Sequence, residues 1–179
     1  MNQEILFATG ECVLGIVLVA TSERGVCAIL LGDEAGALAR DLQQRFPQGR
    51  VRDGGTELEP LLAKVAKLLV APAMRLDVAL DVRGTAFQRR VWRALQEIPA
   101  GSTETYTEVA RRIGAPESAK EVGEACAANA LAVAIPCHRV VRKDGGLAGY
   151  RWGVKRKRAL LEREGARIAG TADLFGAQQ

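Results

Sequence analysis

The residues best suited to covalent chemistry are Cys137 and His138, which stand side by side after Pro136. A cysteine reacts as the thiolate, so it needs an electropositive surrounding or a nearby base, and His138 is the only histidine of the chain. The apolar, β-branched flanks at 131–135 and 140–141 predict a buried, strand-like passage with the thiol at the floor of a pocket. Taken alone, the pair fits a small buried cysteine and a satisfied polar histidine at least as well.

The other cysteines give no sign of a metal site or a disulfide framework. No two of the four form a C-x-x-C pair, and one histidine is too few for a histidine-rich metal cluster. We therefore expect no metal and interpret the cysteines as reduced thiols of a cytoplasmic protein. Cys12 and Cys27 lie in strand-like runs and are predicted core residues. No segment has the pattern of a signal peptide or the length of a transmembrane helix.

Positive charge is concentrated in the part of the chain that contains Cys137. The net charge of the 179 residues is only +4, but residues 83–158 hold 15 basic and 7 acidic side chains, an excess of eight positive charges. Residues 1–82 hold 8 basic and 11 acidic side chains. A basic lobe on a nearly neutral protein is typical of proteins that bind a phosphate backbone, although a solvated basic surface without a partner is about as common.

The elements that must position these residues fall into two groups. Residues 1–82 predict a small antiparallel sheet with helices, because alternating and helical apolar patterns follow one another there. The expected elements are strands at 13–20, 26–31 and 75–82, helices at 34–46 and 57–70, and a polar loop at 47–55.

From residue 83 onward the pattern is mainly helical. The expected helices cover residues 85–97, with Thr85 as the cap, and 105–113, 117–128 and 154–164. The second and third of these helices flank a tight turn, which is typical of a helix-turn-helix whose second helix can enter a DNA groove. By itself this signal is weak, because such helix pairs are common.

Several motifs of the second group, taken together, are similar to one protein family. They are Arg83–Gln88 with Val91 and Trp92, Ile98-Pro99 with Gly101, Tyr106, Asn129, Pro136–Val141, Gly149-Tyr150, and Lys157–Glu164. With these residues at this spacing, the chain resembles the O6-alkylguanine-DNA alkyltransferases, in particular the C-terminal domain of the bacterial Ada type. The resemblance is dense from Arg83 to Gly165, and the order of strands and helices before it is similar too.

The resemblance implies an α+β protein with a ribonuclease-H-like α/β domain at 1–82. It implies an alkyltransferase domain with a winged helix-turn-helix at 83–170 and a flexible tail at 171–179. The implied function is DNA repair, in which an alkyl group moves once from O6 of guanine in double-stranded DNA to Cys137, without a cofactor, in a protein expected to be a monomer. Because O6 is buried in the duplex, the nucleotide must be flipped into a pocket while basic side chains hold the backbone.

The resemblance also implies roles for individual residues. Cys137 is the nucleophile, His138 takes the thiol proton through a water molecule, and Glu164 holds the imidazole. Asn129 braces a turn, Tyr106 donates to the leaving guanine, and Lys157 lies near the cysteine. The implied substrate-binding residues are Tyr106, Val140, Tyr150, Arg151 and Trp152, and the implied DNA-binding residues are Gln88, Thr107, Lys120, Arg139 and Lys143.

Blander interpretations of four of these residues stay open at this stage. Tyr106 and Lys157 fit ordinary exposed positions on helices, and Tyr150 and Trp152 fit core packing. If Trp152 lines the pocket, its bulk should restrict large alkyl groups.

The predicted recognition helix departs from the family pattern. Lys120 stands where the family usually has an arginine that inserts into the duplex, and Glu121 stands where a small residue is usual. Together with Glu117 and Glu124, these two residues give the helix a net charge of −2. A helix with this charge is repelled by phosphates, and lysine lacks the planar guanidinium of arginine. Two alternatives to ordinary repair therefore stay open. One is a cysteine alkyl acceptor with altered DNA docking that acts on free O6-alkylguanine or another small electrophile; the other is a binding module or regulator without productive transfer.

Overall fold

A computed structural model describes residues 3–147 and 149–168 of the chain, which form two compact units. The first unit contains the described residues up to Arg83 and the segment Ala130–Ala134, and the second contains Gly84–Asn129 and the described residues from Ile135 onward. The first change of unit lies one residue from the predicted boundary, whereas the return of Ala130–Ala134 to the first unit has no signal in the sequence. The predicted tail at 171–179 lies outside the described residues.

The first unit is built on a four-stranded mixed sheet. Its strands are β1 (Glu4–Cys12), β2 (Gly15–Ser22), β3 (Gly25–Gly32) and β4 (Arg50–Asp53), in the order β3-β2-β1-β4. Strand β2 is antiparallel to both neighbours, whereas β4 is parallel to β1. Helices α1 (Ala35–Arg45) and α2 (Glu59–Val70) pack on this sheet through buried leucine and valine stripes. The apolar spacing that predicts the two helices is therefore the spacing that buries them.

Two sequence predictions for this sheet are wrong. The sheet is mixed instead of antiparallel, because β4 lies within the predicted loop at 47–55 and pairs parallel to β1. The predicted strand at 75–82 makes only one bridge, between Leu80 and Val26. The alternating pattern arises because every second side chain of this segment is half-buried. Such burial requires only an extended segment against the unit, and not a full set of hydrogen bonds to a neighbouring strand.

The second unit is mainly helical, as predicted. Its helices are α3 (Ala86–Gln96), α4 (Tyr106–Arg112), α5 (Ala119–Ala128) and α6 (Val154–Arg163). Reciprocal capping boxes start two of them, Thr85 with Gln88 at α3 and Thr105 with Glu108 at α4. The indole Nε1 of Trp92 donates a 2.9 Å hydrogen bond to Ala125 O and so ties α3 to α5. The predicted α+β class is confirmed, and the wing stays a prediction.

The segment around Cys137 is a turn, so the predicted strand-like passage is wrong there. Cys137–Arg139 form one 3₁₀ turn, followed by β6 (Val140–Val141), which is parallel to β5 (Glu104–Thr105). Pro136 has no N–H for a ladder, and local bonds from Cys137 N to Ile135 O and from Arg139 N to Pro136 O close the turn. The apolar flanks reflect burial, which a turn achieves as well as a strand does.

Among the described residues, no helix combines the length and hydropathy needed to cross a membrane.

Val133 adopts a positive φ of 67°, which is rare for a β-branched residue, in the segment directly before the turn that holds Cys137.

Candidate active site

Cys137 lies buried at the start of the 3₁₀ turn, where the end of α5 reaches its sulfur. The side chain is 4% exposed. Asn129, which ends α5, is fully buried and donates from Nδ2 to Ile135 O at 2.9 Å and to Cys137 Sγ at 3.2 Å. A single amide therefore contacts both the backbone before the cysteine and the sulfur itself.

The thiol of Cys137 is held in its protonated form at neutral pH. Burial raises its pKa to about 11, although the hydrogen bond from Asn129 and the positive charge of Lys157 lower it in part. A thiol in this state is a weak nucleophile until a base takes its proton. The site therefore needs a proton acceptor close to Cys137.

His138 and Glu164 form a buried pair next to that cysteine. His138 Nε2 lies 2.7 Å from Glu164 Oε1, and both side chains have an exposed fraction of 0%. Burial lowers the pKa of His138, even though the carboxylate of Glu164 acts in the opposite direction. The neutral imidazole must then donate its Nε2–H to the carboxylate, which leaves the lone pair on Nδ1. Nδ1 is buried and has no hydrogen-bonding partner in the described part of the chain, so it is the basic atom of this pair.

Arg139 holds the other side of the carboxylate. Its Nε donates to both oxygens of Glu164 at 3.1 Å, its Nη2 donates to Oε1 at 2.7 Å, and its Nη1 donates to Ile98 O at 2.7 Å. Burial alone would raise the pKa of Glu164, but the hydrogen bonds from His138 and Arg139 lower it below its usual value. The glutamate is therefore ionised, and it orients the imidazole while the guanidinium balances its charge.

This geometry does not support the predicted contact of Arg139 with DNA. The side chain of Arg139 is only 10% exposed, and its guanidinium nitrogens bind groups inside the unit, so it cannot reach a phosphate from this position. Its support of Glu164 is the contribution to the site that sequence reasoning missed. A signal for it exists, because an arginine inside an otherwise apolar segment must find a carboxylate when it is buried.

Lys157 is buried as well, contrary to the interpretation of a solvated lysine. It is 1% exposed, and its Nζ donates to the backbone oxygen of Val140, which is itself fully buried. Burial lowers the pKa of Lys157, whereas the nearby thiols of Cys137 and Cys126 act to raise it. The lysine thus lies within electrostatic range of the Cys137 sulfur.

Three aromatic residues lie in the same unit as this turn, one on α4 and two in the loop at 149–153. Tyr106 begins α4, and its hydroxyl lies 3.4 Å from the position that a Cβ would take at Gly149. Tyr150 and Trp152 are buried and meet edge to face, with ring centroids 5.4 Å apart. Burial raises the pKa of Tyr106 to about 12 and the pKa of Tyr150 well above its usual value, so both phenols remain donors.

The remaining predicted DNA-binding residues and Arg151 lie nearer the surface. Lys120, Lys143 and Arg151 are exposed, and Gln88 and Thr107 are partly buried. Gln88 is engaged in the capping box of α3, and Arg151 Nη1 donates to Ala127 O at 3.0 Å. The structure therefore brings together two hydrogen-bonded pairs at this turn, Asn129 with Cys137 and His138 with Glu164. Gln88, Thr107, Lys120 and Lys143 belong to neither pair.

Within the described residues, the side chains that commonly bind metals do not cluster. The described residues include no group of three or more histidine, cysteine, aspartate or glutamate side chains that could hold a metal. Burial raises the pKa of Cys27 to about 12 and that of Cys126 further still, so neither resembles a metal-binding thiolate.

Comparisons with known proteins point to one family. A family model described as 6-O-methylguanine DNA methyltransferase, DNA binding domain, matches residues 86–166. The chain is 49% identical over 163 residues to the bifunctional transcriptional activator/DNA repair enzyme Ada of Escherichia coli, covering 91% of this chain and 46% of that protein. It is 37% identical over 172 residues to a methylated-DNA–protein-cysteine methyltransferase of Candida albicans, covering 91% of this chain and 96% of that protein.

The fold is also found in a solved relative. A crystal structure of Mycobacterium tuberculosis OGT in complex with DNA matches with a TM-score of 0.71 and 33% identity, covering 96% of this chain and 99% of that one. The chain spans about half the length of the Ada relatives it matches and 60% of the mycobacterial methyltransferase sequences. The Candida albicans relative, in contrast, is matched over nearly its whole length. The chain therefore belongs to the O6-alkylguanine-DNA alkyltransferases, the family of the methylated-DNA–protein-cysteine methyltransferases.

Proposed function

We propose that this protein repairs DNA by moving an alkyl group, such as methyl, from O6 of guanine to Cys137 in a single turnover. The observation that carries the proposal is the buried contact of Asn129 Nδ2 with Cys137 Sγ, next to the hydrogen-bonded pair of His138 and Glu164. The names of the relatives support the same reaction, because they describe methyl transfer from DNA to a protein cysteine.

In the proposed step, Cys137 Sγ attacks the alkyl carbon while the bond between that carbon and guanine O6 breaks. The bonding electrons leave with the guanine, and the thiol proton passes to His138 Nδ1, the basic atom of the buried pair. The proton is then returned to the guanine, so the products are S-alkylcysteine and unmodified guanine. A thioether is not cleaved by the groups present, and each protein molecule therefore reacts once.

Each neighbouring residue has a proposed part in this step. Glu164, held by Arg139, stabilises the imidazolium that forms on His138. The protonated phenol of Tyr106 donates to the leaving guanine as negative charge develops on it. Lys157 lowers the energy of the thiolate through its positive charge. We further propose that Val140, Tyr150 and Trp152 surround the flipped base.

Double-stranded DNA is the proposed partner, with contacts from Gln88, Thr107, Lys120 and Lys143. The exposed face of α5 weakens this docking, because Glu121 and Glu124 are exposed and no ion pair neutralises them among the described residues. This charge is the observation behind a second candidate function, in which the same cysteine accepts alkyl groups from free O6-alkylguanine or another small electrophile. The names of the relatives, which describe methylated DNA, do not favour it.

One experiment tests the proposal and separates the two candidates. The protein is incubated with a duplex that carries O6-methylguanine and, separately, with the free modified base, and the adduct is located by intact-mass and peptide mass spectrometry. Much faster methylation of Cys137 from the duplex supports repair. Methylation from the free base alone supports the second candidate, and the absence of an adduct from both substrates rejects alkyl transfer.

We also propose a monomeric protein in the cytoplasm. All four cysteines are free thiols, which suits a reducing compartment. Size-exclusion chromatography with light scattering tests the monomer, and a fluorescent fusion tests the location.

A further inference from the structure

The 149–153 loop is built to hold two buried aromatic rings between two special backbone positions. Gly149 and Gly153 adopt positive φ angles of 92° and 96°, a region that favours glycine. Between them, Tyr150 and Trp152 are buried and in edge-to-face contact, whereas Arg151 is exposed. The loop thus turns two rings inward and one charged side chain outward.

Arg151 connects this loop to the end of α5. Its Nη1 donates to Ala127 O at 3.0 Å. That carbonyl belongs to the last turn of the helix, where oxygens have no partner within the helix and negative partial charge collects, so a guanidinium is a favourable donor there. Asn129, two residues further on, donates to Cys137 Sγ. The hydrogen bond from Arg151 therefore fixes the loop to the same helix end that positions the reactive sulfur.

Three buried polar atoms near this connection have no protein partner in the ranges that the structure describes. They are Tyr150 Oη and Trp152 Nε1 on the loop and His138 Nδ1 on the active-site turn. Buried polar atoms are paired in the great majority of cases, so three unpaired ones on adjacent elements indicate that these groups are available to a ligand. Tyr150 lies within electrostatic range of Cys137, and the bond from Arg151 joins the loop to the end of α5, so the loop adjoins both.

We propose that Arg151 is a positioning residue, which clasps the 149–153 loop against the end of α5 and so limits the size of the group that can reach Cys137. This inference rests on the proposed function of the cysteine. It differs from the contact with substrate that the resemblance implies for Arg151, because the guanidinium acts on the protein's own backbone. Tyr150 lies within electrostatic range of Cys137 and is in edge-to-face contact with Trp152, so a loop that Arg151 holds in place keeps both rings in place. The bond from Arg151 acts together with the one that Arg156 Nη1 donates to Trp152 O at 3.0 Å. Each such bond is modest, so the loop opens without unfolding of the unit.

A first experiment measures access to Cys137 without any guanine substrate. Wild type, Arg151→Ala, Arg151→Lys and the control Lys155→Ala, which removes an exposed cation from α6, are labelled with iodoacetamide and with a bulkier maleimide. Peptide mass spectrometry follows Cys137 and, in the same samples, the buried Cys27 of the first unit. The expected result is labelling of Cys137 about fivefold faster in Arg151→Ala, which is the size of effect of a typical net hydrogen bond, with a larger gain for the maleimide.

The variants also separate a clasp from a general loss of structure. Arg151→Lys keeps a cationic donor and should label at a rate between wild type and Arg151→Ala, whereas Lys155→Ala should match wild type. Unchanged labelling of Cys137 in Arg151→Ala overturns the clasp, and so does faster labelling of Cys27 to the same degree, which would mean that the whole fold loosens. This outcome does not depend on whether guanine is the substrate.

A second experiment connects the clasp to the proposed reaction. Single-turnover rates of Cys137 alkylation are measured with O6-methylguanine and with O6-benzylguanine as free bases, so that DNA docking does not enter. Arg151→Ala should raise the ratio of the benzyl rate to the methyl rate severalfold, and Arg151→Lys should raise it less. An equal fall of both rates would assign Arg151 to substrate binding and overturn the clasp. The absence of an adduct from wild type with both bases and with the methylated duplex would reject the proposed function, while the labelling experiment would still decide the clasp.

Discussion

The interior around Cys137 and the exposed face of α5 lie in the same unit but differ in how their polar side chains are held. In the interior, Asn129, His138, Arg139 and Glu164 are buried and bonded to one another or to the backbone, so each position depends on the others. On the exposed face, Lys120, Glu121 and Glu124 project into solvent, and no ion pair holds them in the described parts of the chain. Surface charges of this kind change at little cost in stability, whereas a buried network does not.

The proposed function of this chain is therefore more tightly constrained in its interior than on its surface. The chemistry depends on groups that exclude water and fix one another, while docking depends on charges that act at long range and are screened by salt. A family member can therefore keep its reaction and change how it meets DNA. Four predictions test this contrast, beginning with the strongest effect.

The largest expected effect comes from removing Cys137, the proposed acceptor of the alkyl group. Cys137→Ala should abolish alkyl transfer from the duplex and from the free base, because it removes the sulfur that Asn129 contacts beside the pair of His138 and Glu164. Intact-mass spectrometry measures the adduct. Cys27→Ala, which removes a buried thiol from the first unit, should retain full transfer. A methyl adduct in Cys137→Ala would refute the assignment.

The buried network should be costly to interrupt. Glu164→Ala leaves Arg139 and His138 without their carboxylate, and the loss of one partner from a buried charge pair typically costs about 3–5 kcal/mol of unfolding free energy. Urea denaturation measures this value. Glu124→Ala, a carboxylate on the exposed face of α5, serves as the control and should stay within about 0.5 kcal/mol of wild type. Similar losses of unfolding free energy in Glu164→Ala and Glu124→Ala would show that the buried carboxylate is no more important for stability than the exposed one.

The same network should make stability fall as the pH falls. The pKa of His138 is lowered in the folded protein, so below about pH 6.5 the unfolded state binds more protons than the native state, and stability declines by at most about 1.4 kcal/mol per pH unit. The pKa of Glu164 is also lowered, which adds a further loss below about pH 4.5, as pH approaches its folded value. Urea midpoints between pH 8 and pH 4 measure the slope.

A matched variant assigns that slope. His138→Asn cannot titrate, so its stability should depend less on pH between 7 and 5.5 than that of wild type. An equally steep curve in the variant would place the titrating group elsewhere.

Substitutions on the exposed face of α5 should have a small effect, and they should improve DNA binding, whereas substitutions in the interior impair transfer or stability. Glu121→Ala with Glu124→Ala removes two negative charges from α5 and should tighten binding to duplex DNA severalfold at low salt, with the gain shrinking as salt screens it. Fluorescence anisotropy at several salt concentrations measures this change. Glu57→Ala with Glu59→Ala removes two exposed carboxylates from the first unit and should have a smaller effect. If the two double variants gain equally, α5 does not face the phosphates.

Sequence reasoning located the elements of the second unit well. The helices α3, α4, α5 and α6 agree with the predicted ranges to within two residues, because caps such as Thr85 and short apolar periods are local signals. It failed for β4 and for the turn at Cys137. A short polar strand is defined by its partner β1, and the apolar flanks of the turn carry the same signal as a buried strand. Arg139 was misplaced for a related reason, since only its distance to Glu164 shows that it is internal.

Residue types and their spacing along the chain were enough to indicate the family, the candidate acceptor cysteine and the charge of the exposed face of α5. How those residues act on one another depends on the tertiary structure. Folding brings Glu164 next to His138 across 26 positions and Arg151 to Ala127 across 24, and it buries the thiol so that its pKa rises to about 11. Burial and contact over such distances depend on how the elements pack, which no local pattern records.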